Sequence, residues 1–297
     1  MRTKPTRAGF AGWLIPILWM STAIANAVTL YGVGNSGENA QLYSVNPATG
    51  AAVAIGTGLG LGIGRVSAID FSPRSGTLFG ISSGSGETSA ALLSINTGTG
   101  AGTKVTDIPG TQGIFTDMSF RPDGALFTLM DEGGRLTLYE VNPSTGVLTE
   151  IGKTTGRGTG VAFDTTDRLL NALVDGSLGE LDQATGEASP LAGPDLASGD
   201  LFGIAGMDLD SSTGALYVQY SDDEDTPMLG RIDSASNGGP ATFSSIGPTS
   251  VSLDAIAVIP TPSSLGLIGL ALIGLGWPNR HRAYPHQRVV APHGGIC

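Results

Sequence analysis

Residues 42–50 read LYSVNPATG, and residues 138–146 repeat them as LYEVNPSTG. Weaker copies occupy residues 92–100, 178–186 and 229–238. Each copy is typical of a strand that enters a tight turn, because glycine supplies a positive φ and Asn or Asp bonds its own backbone. A unit that returns along the whole chain predicts a repeat architecture of antiparallel strands.

A second repeated unit sets the period. It consists of a short apolar strand, a turn rich in Pro, Asp and Gly, and another strand. Phe71, Phe120, Phe163 and Leu209 hold equivalent places in its copies, 49, 43 and 46 positions apart. Two hairpins within this length make a four-stranded unit, which is what a β-propeller blade requires.

The two ends of the repeat complement each other. Residues 29–33 match the second strand of a unit, and residues 255–258 match the first strand that this unit lacks. We therefore predict an all-β fold, a five-bladed β-propeller over residues 28–259, whose last blade takes three strands from the N-terminus and one from the C-terminus. An open β-solenoid or a β-sandwich is the alternative, although a solenoid would not need the missing strand to return at the end.

Residues 1–27 have the layout of a secretory signal peptide. Basic residues open the segment, and residues 8–24 are uncharged and mostly apolar. Ala25 and Ala27 then form a small-x-small cleavage site. We predict export and cleavage by signal peptidase before Val28. An uncleaved N-terminal anchor is the alternative, against which the short apolar stretch argues.

The charge and the absent residue types restrict the function of the middle of the chain. All 26 acidic residues lie between residues 28 and 259 with nine basic ones, a net charge of −17. Such a surface repels nucleic acid. The three histidines and the only cysteine, Cys297, lie beyond residue 280. The propeller therefore lacks the side chains for Ser-His-Asp or Cys-His catalysis and for a zinc site with these ligands.

Variable loops between the second and third strands and between blades are where a site on a repeated scaffold is expected. Residues 56–64 are rich in glycine, but no helix follows, so we predict a flexible inter-blade loop and not a dinucleotide site. The other candidate is an acidic run that could bind Ca²⁺ through oxygen ligands. Its residues are Asp222, Asp223, Glu224 and Asp225.

The spacing of the acidic run departs from that of an EF-hand loop. Asp195 and Asp200, in an inter-blade loop on the same face, could contribute further ligands. A solvated acidic hairpin tip is the alternative interpretation. We predict no other cofactor and name no catalytic residue.

The tail after the predicted propeller combines a spacer, an apolar run at 265–277 and a basic stop. Its marked residues are Pro260, Pro262, Ser263, Arg280 and Arg282. This layout resembles the PEP-CTERM sorting signal of Gram-negative bacteria, with Thr261 in place of the glutamate. The resemblance implies a sorting segment at 260–282 and recognition by an exosortase-type protease. It also implies an inner-membrane intermediate that is then released to the cell surface or the extracellular space.

The apolar run has 13 residues, short of the roughly 20 that a helix needs to span a bilayer. A marginal, transient membrane anchor therefore fits the length. A buried or amphipathic C-terminal helix is the alternative, against which the glycine content argues. We predict that residues 283–297 form a disordered tail.

These patterns favour an exported, surface- or matrix-associated protein that binds polysaccharide or a surface protein without being an enzyme. The repeats also resemble those of secreted bacterial propellers, which lends support to the fold. The alternative function is a hydrolase or lyase that acts on extracellular polymer through carboxylates, with or without Ca²⁺. Two or more carboxylates converging at the mouth of the channel would keep that alternative open.

Overall fold

The structure is a computed structural model that describes residues 28–36, 39–60, 62, 65–82, 90–111, 113–155, 158–172, 178–191, 202–233 and 241–259. The predicted signal peptide, sorting segment and C-terminal tail lie outside these residues. Across the described ranges the regular structure is all β, with no helix that could cross a membrane.

Twenty strands form the scaffold of the described residues. In chain order they are β1 (Thr29–Ser36), β2 (Asn39–Val45), β3 (Ala52–Ile55), β4 (Val66–Phe71), β5 (Leu78–Ser82), β6 (Ala90–Ile95), β7 (Gly102–Ile108), β8 (Ile114–Phe120), β9 (Leu126–Asp131), β10 (Leu136–Val141), β11 (Leu148–Lys153), β12 (Gly160–Phe163), β13 (Leu169–Ala172), β14 (Leu178–Leu181), β15 (Ala188–Pro190), β16 (Phe202–Asp210), β17 (Ala215–Ser221), β18 (Pro227–Asp233), β19 (Thr242–Pro248) and β20 (Ala255–Ile259).

The strands pair into five four-stranded antiparallel sheets, which are the blades. Blade 1 has the order β20-β1-β2-β3, and blades 2 to 5 take β4–β7, β8–β11, β12–β15 and β16–β19. The first strand of each order (β20, β4, β8, β12 and β16) is innermost, and these strands contact one another around a central channel. The prediction of a five-bladed β-propeller is confirmed.

Blade 1 closes the ring as predicted, with three strands from the N-terminal side and β20 from the C-terminal side. Leu30 pairs with Val258, as Leu78 pairs with Phe71 in blade 2. The closing strand is in the same register as β4, because both pairs join a leucine of the second strand to the equivalent apolar residue of the innermost strand. Since β20 is held between β1 and the channel, the ring has no open blade.

Apolar side chains between adjacent blades form the core. Five equivalent residues lie at the end of the innermost strands or one position before it, and they are here called the collar: Phe71, Phe120, Phe163, Leu209 and Val258. Three collar residues pack in a tilted or edge-on arrangement against an aromatic ring from the second strand of the preceding blade. Those ring pairs are Tyr31–Phe71 at 5.8 Å, Phe79–Phe120 at 5.5 Å and Phe127–Phe163 at 5.3 Å.

The repeated Thr-Gly turns lock neighbouring blades together at the periphery. Gly100 of blade 2 has φ +73°, and a Cβ placed there would lie 2.1 Å from the carbonyl oxygen of Ile55 in blade 1. A Cβ placed at the equivalent Gly146 of blade 3 would also lie 2.1 Å from a carbonyl oxygen of the neighbouring blade, that of Asp107 in blade 2. Asp107 belongs to β7, which pairs with β6. The register of this pair shifts between Leu92 and Leu93 of β6, which marks a β-bulge. The repeated motif is therefore a contact between blades as well as a turn.

The prediction of a flexible loop at 56–64 is wrong at Leu59. This side chain is 1% exposed and packs into the core of blades 1 and 2. Its backbone N–H donates to Ala40, and its carbonyl accepts from Gly102 of blade 2. Two backbone bonds and a buried side chain fix the middle of the loop, a role that its glycine-rich pattern did not indicate.

Candidate functional site

Three aspartates of the innermost strands bond to the backbone of neighbouring innermost strands around the channel. Asp70 is on β4, Asp117 on β8 and Asp208 on β16, and their exposures are 6%, 0% and 8%. Buried carboxyl groups need hydrogen-bond partners. In this propeller the partners are seven backbone N–H groups, four of which belong to other blades.

Asp70, Ser119 and Asp208 occupy the position just before the collar residue in blades 2, 3 and 5. Each accepts a hydrogen bond from the collar N–H of the following blade: Phe120 N to Asp70 at 2.6 Å, Phe163 N to Ser119 at 3.1 Å and Val258 N to Asp208 at 2.6 Å. The two aspartates also accept from the next N–H of their own strand. These side chains therefore connect successive blades around the channel.

Asp117 lies two residues before Ser119 on β8, and its carboxyl group bonds to two other blades. Its Oδ1 accepts from Met118 N at 3.0 Å, and its Oδ2 accepts from Val161 N at 2.9 Å and from Met207 N at 3.2 Å. One carboxyl group thus joins blades 3, 4 and 5. Equivalent positions in blades 4 and 5 are Gly160 and Gly206, so this strand position has no side chain in the two blades that Asp117 contacts.

A pocket of about 300 Å³ opens at the end of the channel where the innermost strands finish, and we call it the channel pocket. The five collar residues form its wall, and Asp70, Ser119 and Asp208 lie below them. Residues of the turns between first and second strands form its rim. The rim residues are Pro73, Pro122, Thr165 and Ser211.

Burial determines the protonation of the carboxyl groups. It raises the pKa of Asp70 well above its usual range, with a further increase from the charge of Asp208. It raises the pKa of Asp208 to about 7, although backbone hydrogen bonds and a bond to Asp70 act in the opposite direction. Burial also raises the pKa of Asp117 despite three backbone hydrogen bonds. Asp70 and Asp208 therefore form a buried carboxyl pair that holds a proton near neutral pH.

Two carboxylates in the turns that follow the innermost strands, Asp123 and Asp164, behave differently because they are ion-paired. Arg121 forks onto Asp123 with bonds of 3.0 and 2.6 Å, which lowers the pKa of Asp123 to about 2. Burial alone would raise the pKa of Asp164, but hydrogen bonds from the Arg168 and Thr166 backbones and side chains lower it overall. The lining of the pocket therefore includes one ionised, paired carboxylate, Asp164, and the proton-holding pair Asp70 and Asp208 at its base.

The convergence of Asp70 and Asp208 meets the condition that keeps the hydrolase alternative open, but their bonding argues against catalysis. Each uses both oxygens on backbone N–H groups. A general acid or nucleophile needs an oxygen directed at the substrate. This arrangement suits ring assembly better than proton transfer to a ligand.

The acidic run predicted to bind Ca²⁺ forms the hairpin between β17 and β18, on the face opposite the channel pocket. Oδ1 of Asp222 accepts from Glu224 N at 3.0 Å and Thr226 N at 2.7 Å, and Asp225 has φ +60°. Asp223, Glu224 and Asp225 are exposed. Among the described residues no group of three or more His, Cys, Asp or Glu side chains is arranged to hold a metal ion. Asp195 and Asp200 lie outside the described residues, and the Ca²⁺ site stays a prediction.

Sequence reasoning missed the carboxyl pair because it assigned Asp70 and Asp208 to ordinary strands. The available signal was an acidic residue at the same place in two copies, Ile69-Asp70-Phe71 and Met207-Asp208-Leu209. The innermost strand of a blade is buried on both faces, so a charge there must have a partner in the channel. The sorting-signal residues and Ala25 and Ala27 lie outside the described residues.

We expect Asp117→Ala to lower the free energy of unfolding by about 2–3 kcal/mol, because it leaves buried N–H groups of three blades without an acceptor. Urea unfolding of the full chain measures this change. Asp107→Ala is the matched control, since Asp107 forms only an exposed ion pair with Lys104 at 2.9 Å, and its loss should change stability by about 0.5 kcal/mol or less. Equal effects of the two variants would contradict the assigned role of Asp117.

No protein family matches the chain, and no curated protein does. Solved structures are similar at the level of the fold. TolB from Acinetobacter baumannii is 14% identical over 76% of this chain with a TM-score of 0.47, and the chain spans 54% of its length. The major allergen Mala s 1 of Malassezia sympodialis is 14% identical over 73% of this chain and 74% of its own, with a TM-score of 0.49.

A candidate 6-phosphogluconolactonase from Bacteroides uniformis is 12% identical over 75% of this chain and 83% of its own, with a TM-score of 0.43. Identities this low carry no information on ligand or activity. The assignment of this chain to the propeller fold comes from its own strand pairing.

Proposed function

We propose that the protein is an exported, surface- or matrix-associated propeller that binds a polysaccharide or another surface protein and is not an enzyme. The observation that carries the proposal is the bonding of the channel carboxyl groups. Asp70 and Asp208 converge at the pocket, yet both oxygens of each accept backbone N–H groups. Among the described residues, the carboxyl groups that converge at the pocket therefore bond to the backbone of the propeller and stabilise the fold.

A polar groove supports polysaccharide as the ligand. It has a volume of about 370 Å³ and lies on blade 2, between the turn at 73–76 and the Thr-Gly turn at 97–99. Its polar lining comes from Thr77, Ser94, Asn96, Thr97 and Thr103. Hydroxyl and amide groups of this kind match the hydroxyl groups of a sugar chain. The net charge of −17 over residues 28–259 favours a neutral polysaccharide over an anionic one.

We expect the full chain to bind a neutral polysaccharide such as dextran, and Ser94→Arg to weaken binding at least tenfold by filling the groove. Titration calorimetry with dextran, and with alginate as the anionic comparison, measures this. Ser44→Arg is the matched control because Ser44 holds the equivalent place in blade 1, opposite Val53 as Ser94 is opposite Thr103. Equal binding by the Ser94 and Ser44 variants would refute the groove as the site.

The hydrolase alternative has a separate readout. Under it, Asp208→Asn abolishes release of reducing ends from the polymer. Under the proposed function no reducing ends appear with the unaltered chain, and Asp208→Asn binds dextran as tightly as the unaltered chain does. Release of reducing ends that is lost in the variant would replace the binding proposal with the enzyme.

A further inference from the structure

One position of the innermost strands, just before the collar residue, differs in polarity between the blades. It holds Asp70, Ser119 and Asp208 in blades 2, 3 and 5, and it holds Ala162 and Ala257 in blades 4 and 1. The three polar residues line the channel pocket, whereas the two alanines are fully buried and are not part of its lining. The oxygen atoms at the base of the pocket therefore come from three different blades.

The three polar side chains have hydrogen-bonding capacity that the propeller does not use. Ser119 is 3% exposed and its Oγ accepts from Phe163 N, but its hydroxyl proton has no acceptor among the described residues. Each carboxyl oxygen of Asp70 and Asp208 accepts one backbone N–H. The two carboxyl groups also bond each other, and further lone pairs remain on their oxygens. Unused donors and acceptors at the base of an open pocket indicate a place for a ligand.

The wall above these groups is apolar and largely aromatic. Phe71, Phe120 and Phe163 line the pocket together with Leu209 and Val258. A phenyl ring attracts a cation over its face by about 0.5–2 kcal/mol. The volume of about 300 Å³ is at the lower end of the range for ligand sites. The pocket therefore suits a small ligand that has an apolar body and one polar end.

The charges around the base favour a positive polar end on that ligand. Further acidic groups surround Asp70 and Asp208, and the described residues that line the pocket include no Lys or Arg. The other charged groups nearby are Asp117 and Asp210, whose charges act on the pair, and Asp164, which is ion-paired with Arg168 at 2.7 Å. An opposite charge beside a buried carboxyl group favours its ionised form, so a cationic ligand would stabilise the ionised pair.

We propose that the channel pocket binds a small primary ammonium ion, whose apolar body lies against the collar and whose N–H groups donate to Asp70, Ser119 and Asp208. An ammonium group has three N–H donors, one for each side chain at the base. On binding, the carboxyl pair releases its proton to the solvent, and the ammonium group keeps its own three. The Ser119 hydroxyl proton is then available to the ionised pair. This site is separate from the polar groove on blade 2.

Binding of a cation is compatible with the bonds that hold the carboxyl groups to the backbone. Catalysis needs an oxygen directed at one reacting atom, whereas a cation is attracted by the charge of the whole group. Asp70 and Asp208 are 6% and 8% exposed, so a ligand in the pocket reaches them without moving the strands.

Titration calorimetry of the full chain with three probes tests the charge preference. Benzylammonium, benzyl alcohol and benzoate have the same ring and nearly the same size, but they are positive, neutral and negative. At pH 8 we expect benzylammonium to bind at least tenfold more tightly than the other two. Equal binding of benzyl alcohol would show that only the apolar wall matters and would overturn the proposal, as would the absence of heat with benzylammonium at millimolar concentration.

Variants locate the site. Asp208→Asn should weaken benzylammonium binding at least tenfold, whereas Asp123→Asn, in an exposed ion pair outside the pocket lining, should not change it. Ser211→Arg decides the question if Asp208→Asn folds poorly, because it adds bulk and positive charge at the rim and leaves the carboxyl bonds intact. Its control is Ser75→Arg, in the equivalent turn of blade 2 but outside the lining. Unchanged binding by Ser211→Arg would refute the pocket as the site.

The proton released on binding gives a second readout. With the pKa of Asp208 at about 7, the affinity for benzylammonium should fall about tenfold from pH 8 to pH 6, because protons compete for the carboxyl pair. At pH 7 the heat of binding should differ between phosphate and Tris, since the buffer takes up the proton. An affinity that does not change with pH would contradict the contact with the pair. Dextran takes no part in these measurements, so failure of this proposal and failure of the proposed function are distinguishable.

Discussion

Gly100→Ala is expected to cost about 3–5 kcal/mol of the free energy of unfolding, a large fraction of a domain's stability. The Cβ would lie 2.1 Å from the carbonyl oxygen of Ile55 on the neighbouring blade, and the backbone there has φ +73°. The atoms of Ile55 nearest the added Cβ belong to the main chain. Blades 1 and 2 would therefore have to separate. Urea or thermal unfolding of the full chain measures the loss.

Gly110→Ala is the control that separates the two causes. Gly110 has φ +74°, almost the same as Gly100, but nothing lies within 4 Å of the Cβ position. This variant should therefore lose only the conformational part, about 1 kcal/mol. If both variants lose the same stability, the close approach between blades contributes nothing and the interlocking role of the Thr-Gly turns is refuted.

The second large effect is a decrease in stability as the pH rises from about 5 to 8. Burial raises the pKa values of Asp70, Asp117 and Asp208 above those of the unfolded chain. In this window the folded protein keeps protons that the unfolded chain has released, so stability falls by about 1.4 kcal/mol per pH unit for each such proton. The stabilisation is complete below the unfolded pKa, near 3.9, and is lost as the pH rises through the folded pKa.

The size of this pH-dependent loss of stability can be bounded from Asp208 alone. With the folded pKa of Asp208 at about 7, this residue alone should remove about 3 kcal/mol between pH 4.5 and pH 7. Asp123, Asp164 and Asp182 have lowered pKa values, so their contributions disappear only as the pH falls below about 4. The window from pH 5 to 8 therefore reports mainly on the channel.

Urea midpoints across this window test the effect, and the slope against pH is the readout. Asp208→Asn should flatten the slope by about one proton, since the amide does not titrate. Asp123→Asn should leave the slope unchanged, because the lowered pKa of Asp123 puts its titration below this window. Stability that is flat or that rises with pH in the unaltered protein would contradict the protonated state of the channel carboxyl groups.

The fold was predictable because its signal is periodic. The copies of LYSVNPATG and the match of residues 29–33 and 255–258 to complementary strands specify blade number and ring closure. Each blade must place its apolar residues between neighbours, so the spacing of the collar residues survives even where identities change. Phe71 and Leu209 differ in type and still hold the same structural position.

The channel pocket was not predictable in the same way. Asp70 and Asp208 each sit in an apolar strand, and only three-dimensional closure brings them together across the channel. The acidic run at 222–225 attracted attention because its charges are consecutive, yet its first carboxylate bonds its own turn. A run of consecutive charged residues indicates solvent exposure at least as often as a binding site. A single buried carboxyl group, in contrast, changes the electrostatics of all the groups around it.

The pairing of β1 with β20 also sets the order in which the molecule can be made. Leu30 leaves the ribosome early, and its partner Val258 follows only after nearly the whole propeller has been synthesised. Until then blade 1 has an unpaired inner edge, which is a template for association with other chains. A chain that terminates before residue 255 cannot hide this edge, so completeness of synthesis becomes a condition for solubility.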